Sequence, residues 1–122
     1  ARVVARHPDG LAELAISGGR LFLPDPGATI GARLRLRISG QELIIARRTL
    51  TGISALNQLP ATVRKIRPGN GPGAVVALSV GDDVILSRVT KRSVAELGLA
   101  PGQPCVAVIK ALAIAPEDIG GA

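Results

Sequence analysis

Side chains that donate hydrogen bonds collect in three short stretches of this sequence. Ile53-Ser54-Ala55-Leu56-Asn57-Gln58-Leu59-Pro60-Ala61-Thr62-Val63 carries Ser54 and Asn57. Val89-Thr90-Lys91-Arg92-Ser93-Val94-Ala95-Glu96-Leu97-Gly98-Leu99 carries Thr90, Arg92 and Ser93, and Val108-Ile109-Lys110-Ala111 carries Lys110. Other chemistry is poorly supplied. Cys105 and His7 are the only candidates for a nucleophile and its base, and no motif pairs them. Side chains that hold a metal are too few, and a phosphate loop of the Gly-x4-Gly-Lys-Ser/Thr type is absent from the sequence. These residues point to binding, and catalysis by this chain is not expected. Ser93-Val94-Ala95-Glu96 has the spacing of a capping box, in which a hydroxyl and a carboxylate satisfy backbone donors at a helix start. With Gly98 placed as a helix stop, one short helical turn is predicted, and its free N–H groups would attract an anion.

The elements that must position these groups are strands. Hydrophobic residues make up 47% of the 122 residues but aromatics only 1%, so the core is built from Val, Ile, Leu and Ala. Fifteen Gly and nine Pro fall between short apolar runs, the pattern of an all-β chain with tight turns. Strands are predicted over 2–6, 11–17, 20–23, 33–38, 42–46, 61–66, 75–80, 84–89 and 105–109. Two hairpins turn at 18–19 and 81–83. In 33–38 the alternation is strict: Leu34, Leu36 and Ile38 share one face, and Arg33, Arg35 and Arg37 form an exposed face or a docking surface on the other.

The chain repeats itself. Gly31–Ile38 overlays Gly102–Ile109, so that Leu34, Leu36 and Ile38 match Cys105, Ala107 and Ile109, and Ser39 takes the place of Lys110. Each copy is followed by an apolar strand ending in Ile-Ala, Ile45-Ala46 and Ile114-Ala115. Two related units in tandem are expected at 1–52 and 53–116, with a tail at 117–122. Units this small with no aromatic core are marginal alone, so the halves should pack together. A single cysteine cannot form an internal disulfide, which fits a reducing compartment. No apolar run approaches the ~18 residues of a membrane span. A sequence without methionine is expected to be a processed product or a piece of a longer protein.

The three donor-bearing stretches, in this order, resemble the molybdate-binding Mop family. The first is similar to its opening signature, usually written Ser-Ala-Arg-Asn-Gln-Leu and followed by a Thr-Val strand. The second is similar to its Ile-Thr-x-x-Ser...Leu-Gly-Leu segment, and the third to its closing Ile-Lys-Ala. The resemblance covers roughly residues 53 to 115. It implies an all-β fold of two tandem small OB-like (Mop/TOBE) barrels, the second with one short helix. It also implies an oxyanion site for molybdate or tungstate, with Ser54, Asn57, Thr90 and Ser93 as neutral donors and Lys110 and Arg92 as cations. The chemistry is consistent, because a tetrahedral dianion offers only acceptors. Hydrogen bonds to a charged group contribute about 1.5 to 3 kcal/mol each, so about four or five reach the roughly 8 kcal/mol of micromolar binding after the costs of association.

Each residue also has a plainer reading. Ser54, Asn57, Thr90 and Ser93 sit near strand ends and turns, where such side chains cap backbone groups. Lys110 is also readable as a lysine reaching from a strand end to solvent, and Arg92 as a solvated helix arginine. Leu56 departs from the family pattern, standing where the signature has arginine and removing a charge and several donors.

Three contexts share this unit: a free-standing molybdate store, a regulator with a helix-turn-helix half, and the ATP-binding subunit of a molybdate importer. Gly31-Ala32-Arg33-Leu34-Arg35-Leu36-Arg37-Ile38 resembles the Gly-x-x-Leu-Arg-Leu-Arg-Ile run of the importer's C-terminal TOBE segment, and a second complete signature is missing. The resemblance therefore implies a regulatory domain attached to an ABC ATPase domain and, through it, to a permease. It implies a homodimer, a cytoplasmic location peripheral to the inner membrane, and membrane contact only through the transporter. The net charge of +6 also suits a nucleic-acid-binding OB-like module, which is the competing reading. Stacking platforms worth about 1 to 3 kcal/mol per base are nearly absent, since Phe22 is the only aromatic residue. Nucleic acid is not an expected partner.

Overall fold

Glycine and proline cut the apolar runs of this chain into short strands, each buried on one side. In a computed structural model, residues 1–115 and 118–121 are described; residues 116, 117 and 122, which include the expected end of the second unit, lie outside them. In chain order the elements are β1 (Arg2–Arg6), β2 (Leu11–Ile16), β3 (Gly19–Pro24), β4 (Leu34–Leu36), β5 (Ile44–Ala46), β6 (Asn57–Pro68), β7 (Gly73–Val80), β8 (Asp83–Thr90), α1 (Lys91–Leu97), β9 (Pro104–Ile109), a 3-10 turn Ala111–Ala113, and β10 (Ile119–Gly121). The all-β reading holds, with the one short helix in the second half. Alternation selects the buried face: in β7, Ala74, Val76, Leu78 and Val80 point into the core while the residues between them do not.

The described strands form three antiparallel sheets, ordered β1-β2-β3, β10-β4 and β5-β9-β6-β7-β8. One continuous core joins them, running from Leu14, Leu21 and Leu23 in the first half to Val76, Leu78 and Ile109 in the second. Arg33, Arg35 and Arg37 are exposed and Leu34, Leu36 and Ile38 are half-buried, as the alternation requires.

The two halves repeat in detail. The β1–β2 ladder shifts register between Val3 and Ala5, and the β6–β7 ladder shifts between Val63 and Lys65, so each copy has a bulge at the same place. The Val3 N–H donates to Ala32 O at 2.9 Å and the Gly31 N–H to Val3 O at 2.7 Å. Their counterparts, Val63 to Gln103 at 2.9 Å and Gly102 to Val63 at 2.7 Å, reproduce both bonds. Gly31 and Gly102 have φ of 93° and 88°, a left-handed conformation that glycine adopts without a Cβ penalty. The overlay of 31–38 on 102–109 is thus a true structural repeat.

Three sequence expectations need correction. The hairpin turns are residues 17–18 and 81–82, because Ile16 pairs with Gly19 and Val80 with Asp83, which places both second partners in strands. The turns pack back to back so closely that a Cβ on Gly81 would lie 2.5 Å from the Gly18 nitrogen. Ile114-Ala115 is not a strand. Ile114 follows the 3-10 turn, and the counterpart of Ile45 is Ile119: Ile45 pairs with Ala107 and Ile119 with Leu36, which match in the overlay. Finally, the short strands are exchanged. β5 of the first half pairs with β9, while β10, in the expected tail, pairs with β4.

Candidate functional site

The antiparallel sheet decides where the six candidate residues lie. Asn57 opens β6 opposite Ile109, so Leu56 and Lys110, one residue beyond each, stand at the same end of the ladder, with Ser54 just before them. Thr90 closes β8 opposite Gly73, and Ala74 stands opposite Pro68, so the start of α1 lies at the other end of β6. At about 3.3 Å per residue, the 12 residues of β6 separate these ends by roughly 35 Å along the strand. The structure therefore brings together Ser54, Asn57 and Lys110, and separately Thr90, Arg92 and Ser93. It does not join the two groups within one chain.

At the first end, Ser54 and Lys110 are exposed, and Lys110 precedes the 3-10 turn, its carbonyl accepting from the Ala113 N–H at 3.0 Å. Asn57 is only 1% exposed. Its Oδ1 accepts from the Phe22 N–H at 2.7 Å and its Nδ2 donates to Phe22 O at 2.8 Å, so the side chain acts as a short strand paired to the open edge of β3. Asn57, expected as a donor to the oxyanion, is here bonded to both backbone groups of Phe22 and fixes the frame of this end. Gln58 does similar work, accepting from Leu50 N–H at 2.7 Å and donating to Leu50 O at 2.8 Å, which holds the loop carrying Ser54 against β6. Sequence reasoning missed Gln58, although it lies inside the motif. Leu56 is 54% exposed, so it is not a core residue. Ile53 and Leu112 are also exposed, which gives this end an apolar rim.

At the second end the helix begins three residues earlier than its sequence suggests. Thr90 is the N-cap: its Oγ1 accepts from the Ser93 N–H at 3.0 Å and lies 2.8 Å from the Ser93 hydroxyl. Ser93 is thus the third helical residue rather than the cap. The Lys91 N–H donates to Pro72 O at 2.8 Å, so two of the N–H groups expected to be free are in use. Gly98 does end the helix, at φ 62°. Arg47 braces that end, donating from Nη1 to Leu97 O at 2.6 Å. Arg92 is exposed.

Nucleophilic chemistry gains no support. Cys105 is buried in β9, and burial pushes its thiol above the usual range, which disfavours the thiolate. His7 is in the other half, 3.3 Å from Glu13 Oε1. Among the described residues no group of three or more His, Cys, Asp or Glu side chains is placed to hold a metal ion.

Comparison with known proteins identifies the family. The TOBE domain family matches residues 53–115, the span that carries both clusters. The chain belongs to the TOBE domain family. It is 42% identical over 92% of its length to the molybdenum import ATP-binding protein ModC of Thiobacillus denitrificans, and 36% identical over 98% to that of Rhodobacter capsulatus. This TOBE chain spans about a third of those relatives, 32% and 34% of their lengths. Its fold superposes on the cytoplasmic molybdate-binding protein ModG, solved with molybdate bound, at a TM-score of 0.80 and 30% identity, covering 99% of this chain and 92% of that one.

Proposed function

We propose that this TOBE chain is the oxyanion-binding regulatory domain at the C-terminal end of the ATP-binding subunit of a molybdate importer. The observation that carries the reading is its identity to molybdenum import ATP-binding proteins along nearly its whole length, while it makes up only about a third of theirs. ATP hydrolysis then belongs to the preceding part of the subunit. The permease, the cytoplasmic location and the indirect contact with the membrane follow from that assignment; no helix among the described residues is long and apolar enough to cross a membrane.

The ligand is molybdate or tungstate, and its site is shared between two copies of the chain. One copy supplies Ser54 and Lys110 beside Asn57, whose amide is bonded to Phe22, and Gln58, which ties the preceding loop at Leu50; the other supplies Thr90, Arg92 and Ser93. The separation of the two clusters and the apolar rim of Ile53, Leu56 and Leu112 support this arrangement. A homodimer is the simplest assembly that completes the site. Nucleic acid is not the partner proposed, since sequence-tolerant binding leans on a row of stacking aromatics and Phe22 is the one aromatic residue.

Calorimetric titration with molybdate, with sulfate as control, tests the reading. Molybdate is expected to bind more tightly, and absence of heat and of any thermal shift at millimolar molybdate would reject it. A free-standing molybdate-binding protein is the second reading, favoured by the likeness to ModG over nearly both chains. An ATPase sequence in the same reading frame before Ala1 decides between them.

A further inference from the structure

We infer that the outer face of β6, β7 and β8 is a docking surface for an acidic, amphipathic segment of a protein partner, laid extended along β7. The inference goes beyond the oxyanion reading and uses none of its ligands. Its evidence is a contrast between the two halves of the repeat. In the second half Lys65, Ala77 and Leu86 stand opposite one another in a row across the three strands, and Arg67, Val75 and Arg88 form the next row. In the first half the row that matches Lys65, Ala77 and Leu86 is Ala5, Glu13 and Phe22. The carboxylate at its centre answers the nearby cations: Glu13 Oε1 lies 3.3 Å from His7 Nε2, and Oε2 lies 3.8 Å from Arg20 Nη1. In the second half Ala77 takes the place of Glu13. Among the described residues, Lys65, Arg67 and Arg88 are exposed and none of them forms an ion pair with a carboxylate.

The face has a shape as well as a charge. Val75, Ala77 and Ser79 are short and half-buried, and they floor a trough that runs along β7. Lys65 and Arg67 wall it on the β6 side, and Val84, Leu86 and Arg88 wall it on the β8 side. Two strand spacings of about 4.8 Å set these walls roughly 10 Å apart, which is room for one extended chain. The walls differ in kind. Val84 and Leu86 are large apolar side chains left 48% and 52% exposed, whereas the β6 wall is cationic. An extended segment sends alternate side chains to opposite sides, so carboxylates alternating with apolar residues satisfy both walls at once. The carboxylates reach Lys65 and Arg67, supplying from outside what Glu13 supplies within the first half, and the apolar side chains cover Val84 and Leu86. A second copy of the chain does not supply such a segment. Its net charge is +6, and no two of its nine acidic residues stand two apart in sequence.

Fluorescence anisotropy with the labelled peptide Glu-Leu-Glu-Leu-Glu-Leu-Glu tests this at about 0.15 M salt, where exposed charges beyond about 8 Å are screened. The chain is expected to bind it and not the control Lys-Leu-Lys-Leu-Lys-Leu-Lys. Lys65→Glu combined with Arg67→Glu is expected to weaken binding at least about tenfold, and Leu86→Ser to weaken it as well. Arg33→Glu combined with Arg35→Glu, which reverses exposed cations on β4, is expected to leave binding within about twofold. Lys65→Gln combined with Arg67→Gln removes the charge without adding repulsion. It is expected to weaken binding too, and it keeps the test readable should the reversal unfold the sheet. Absence of binding at millimolar chain, or equal losses from the two charge reversals, overturns the proposal. Tighter binding to phosphatidylglycerol vesicles or to a labelled oligonucleotide also overturns it, giving the face to a membrane or to nucleic acid. So does a changed sedimentation profile of the Lys65 and Arg67 variants without peptide, which would give the face to a second copy.

Discussion

Lys110 and Ser39 occupy equivalent positions in the two halves, so the pair is an internal control for charge. At an effective dielectric near 20, unit charges about 4 Å apart interact by on the order of 4 kcal/mol before desolvation, and solvent at this exposed position reduces that. Lys110→Ala is expected to weaken molybdate binding at least about tenfold, about 1.4 kcal/mol, with Ser39→Ala near wild type and both variants melting like the parent. Equal small effects would point to a site made mostly of backbone amides. Leu56 lies opposite Lys110 and in solvent, so Leu56→Arg adds forked donors to the site without opening a hole in the core. Tighter binding is expected in the same titration. Asp25 gives a test by pH. The Gly27 N–H and then the Arg6 guanidinium hold its carboxyl below the usual carboxylate range. The ionised form therefore stabilises the native loop fully above the unfolded value near 3.8, and the stabilisation disappears as pH falls through the lower folded value. Asp25→Asn should lower the melting temperature at pH 7, and the difference from wild type should shrink on acidification. A constant difference down to pH 2 would refute this.

Elements were legible in the sequence where the pattern is local. Strict alternation in 33–38 and the paired glycines fixed faces and turns to within a residue, and the overlay of 31–38 on 102–109 identified a repeat that the backbone bonds reproduce. The exchange of β5 and β10 was not legible, because a strand of three residues carries too little pattern to name its partner, and the partner lies about 60 or more residues away in chain order. The cap was misplaced for another reason. Thr90 and Ser93 are both good caps three residues apart, and the preceding strand, ending at Thr90, decides between them. Thr90→Val should cost about 1 kcal/mol of stability, and Glu96→Ala should cost little, as measured by denaturant unfolding; the reverse order would restore Ser93 as the cap. The donor-bearing residues of the site were legible as types, but not as two separated groups, since spacing along a chain does not say which end of a sheet a loop occupies. Asn57 was legible as a polar residue in a motif, yet its bonds to Phe22 depend on the other half of the molecule. Asn57→Ala leaves both Phe22 groups without that partner, at about 1 to 3 kcal/mol each.

At the scale of the whole molecule, the proposed split of the ligand set between opposite ends would make binding and assembly one equilibrium. A ligand held by two chains stabilises the pair over the separate chains by an amount that grows with its concentration, so saturating molybdate should shift the sedimentation profile towards the larger species while sulfate does not. The sharper test is complementation. Lys110→Ala disables one half of each site and Arg92→Ala combined with Ser93→Ala disables the other, so neither variant binds well alone. In a symmetric dimer each mixed pair holds one site with both halves intact and one with both disabled. Random exchange of the two variants should therefore recover about a quarter of the sites, at wild-type affinity. A site contained in one chain predicts no recovery at any mixing ratio, because every chain in the mixture carries a damaged site. Recovery would also set the geometry, since Lys110 of one copy must then reach the start of α1 of the other.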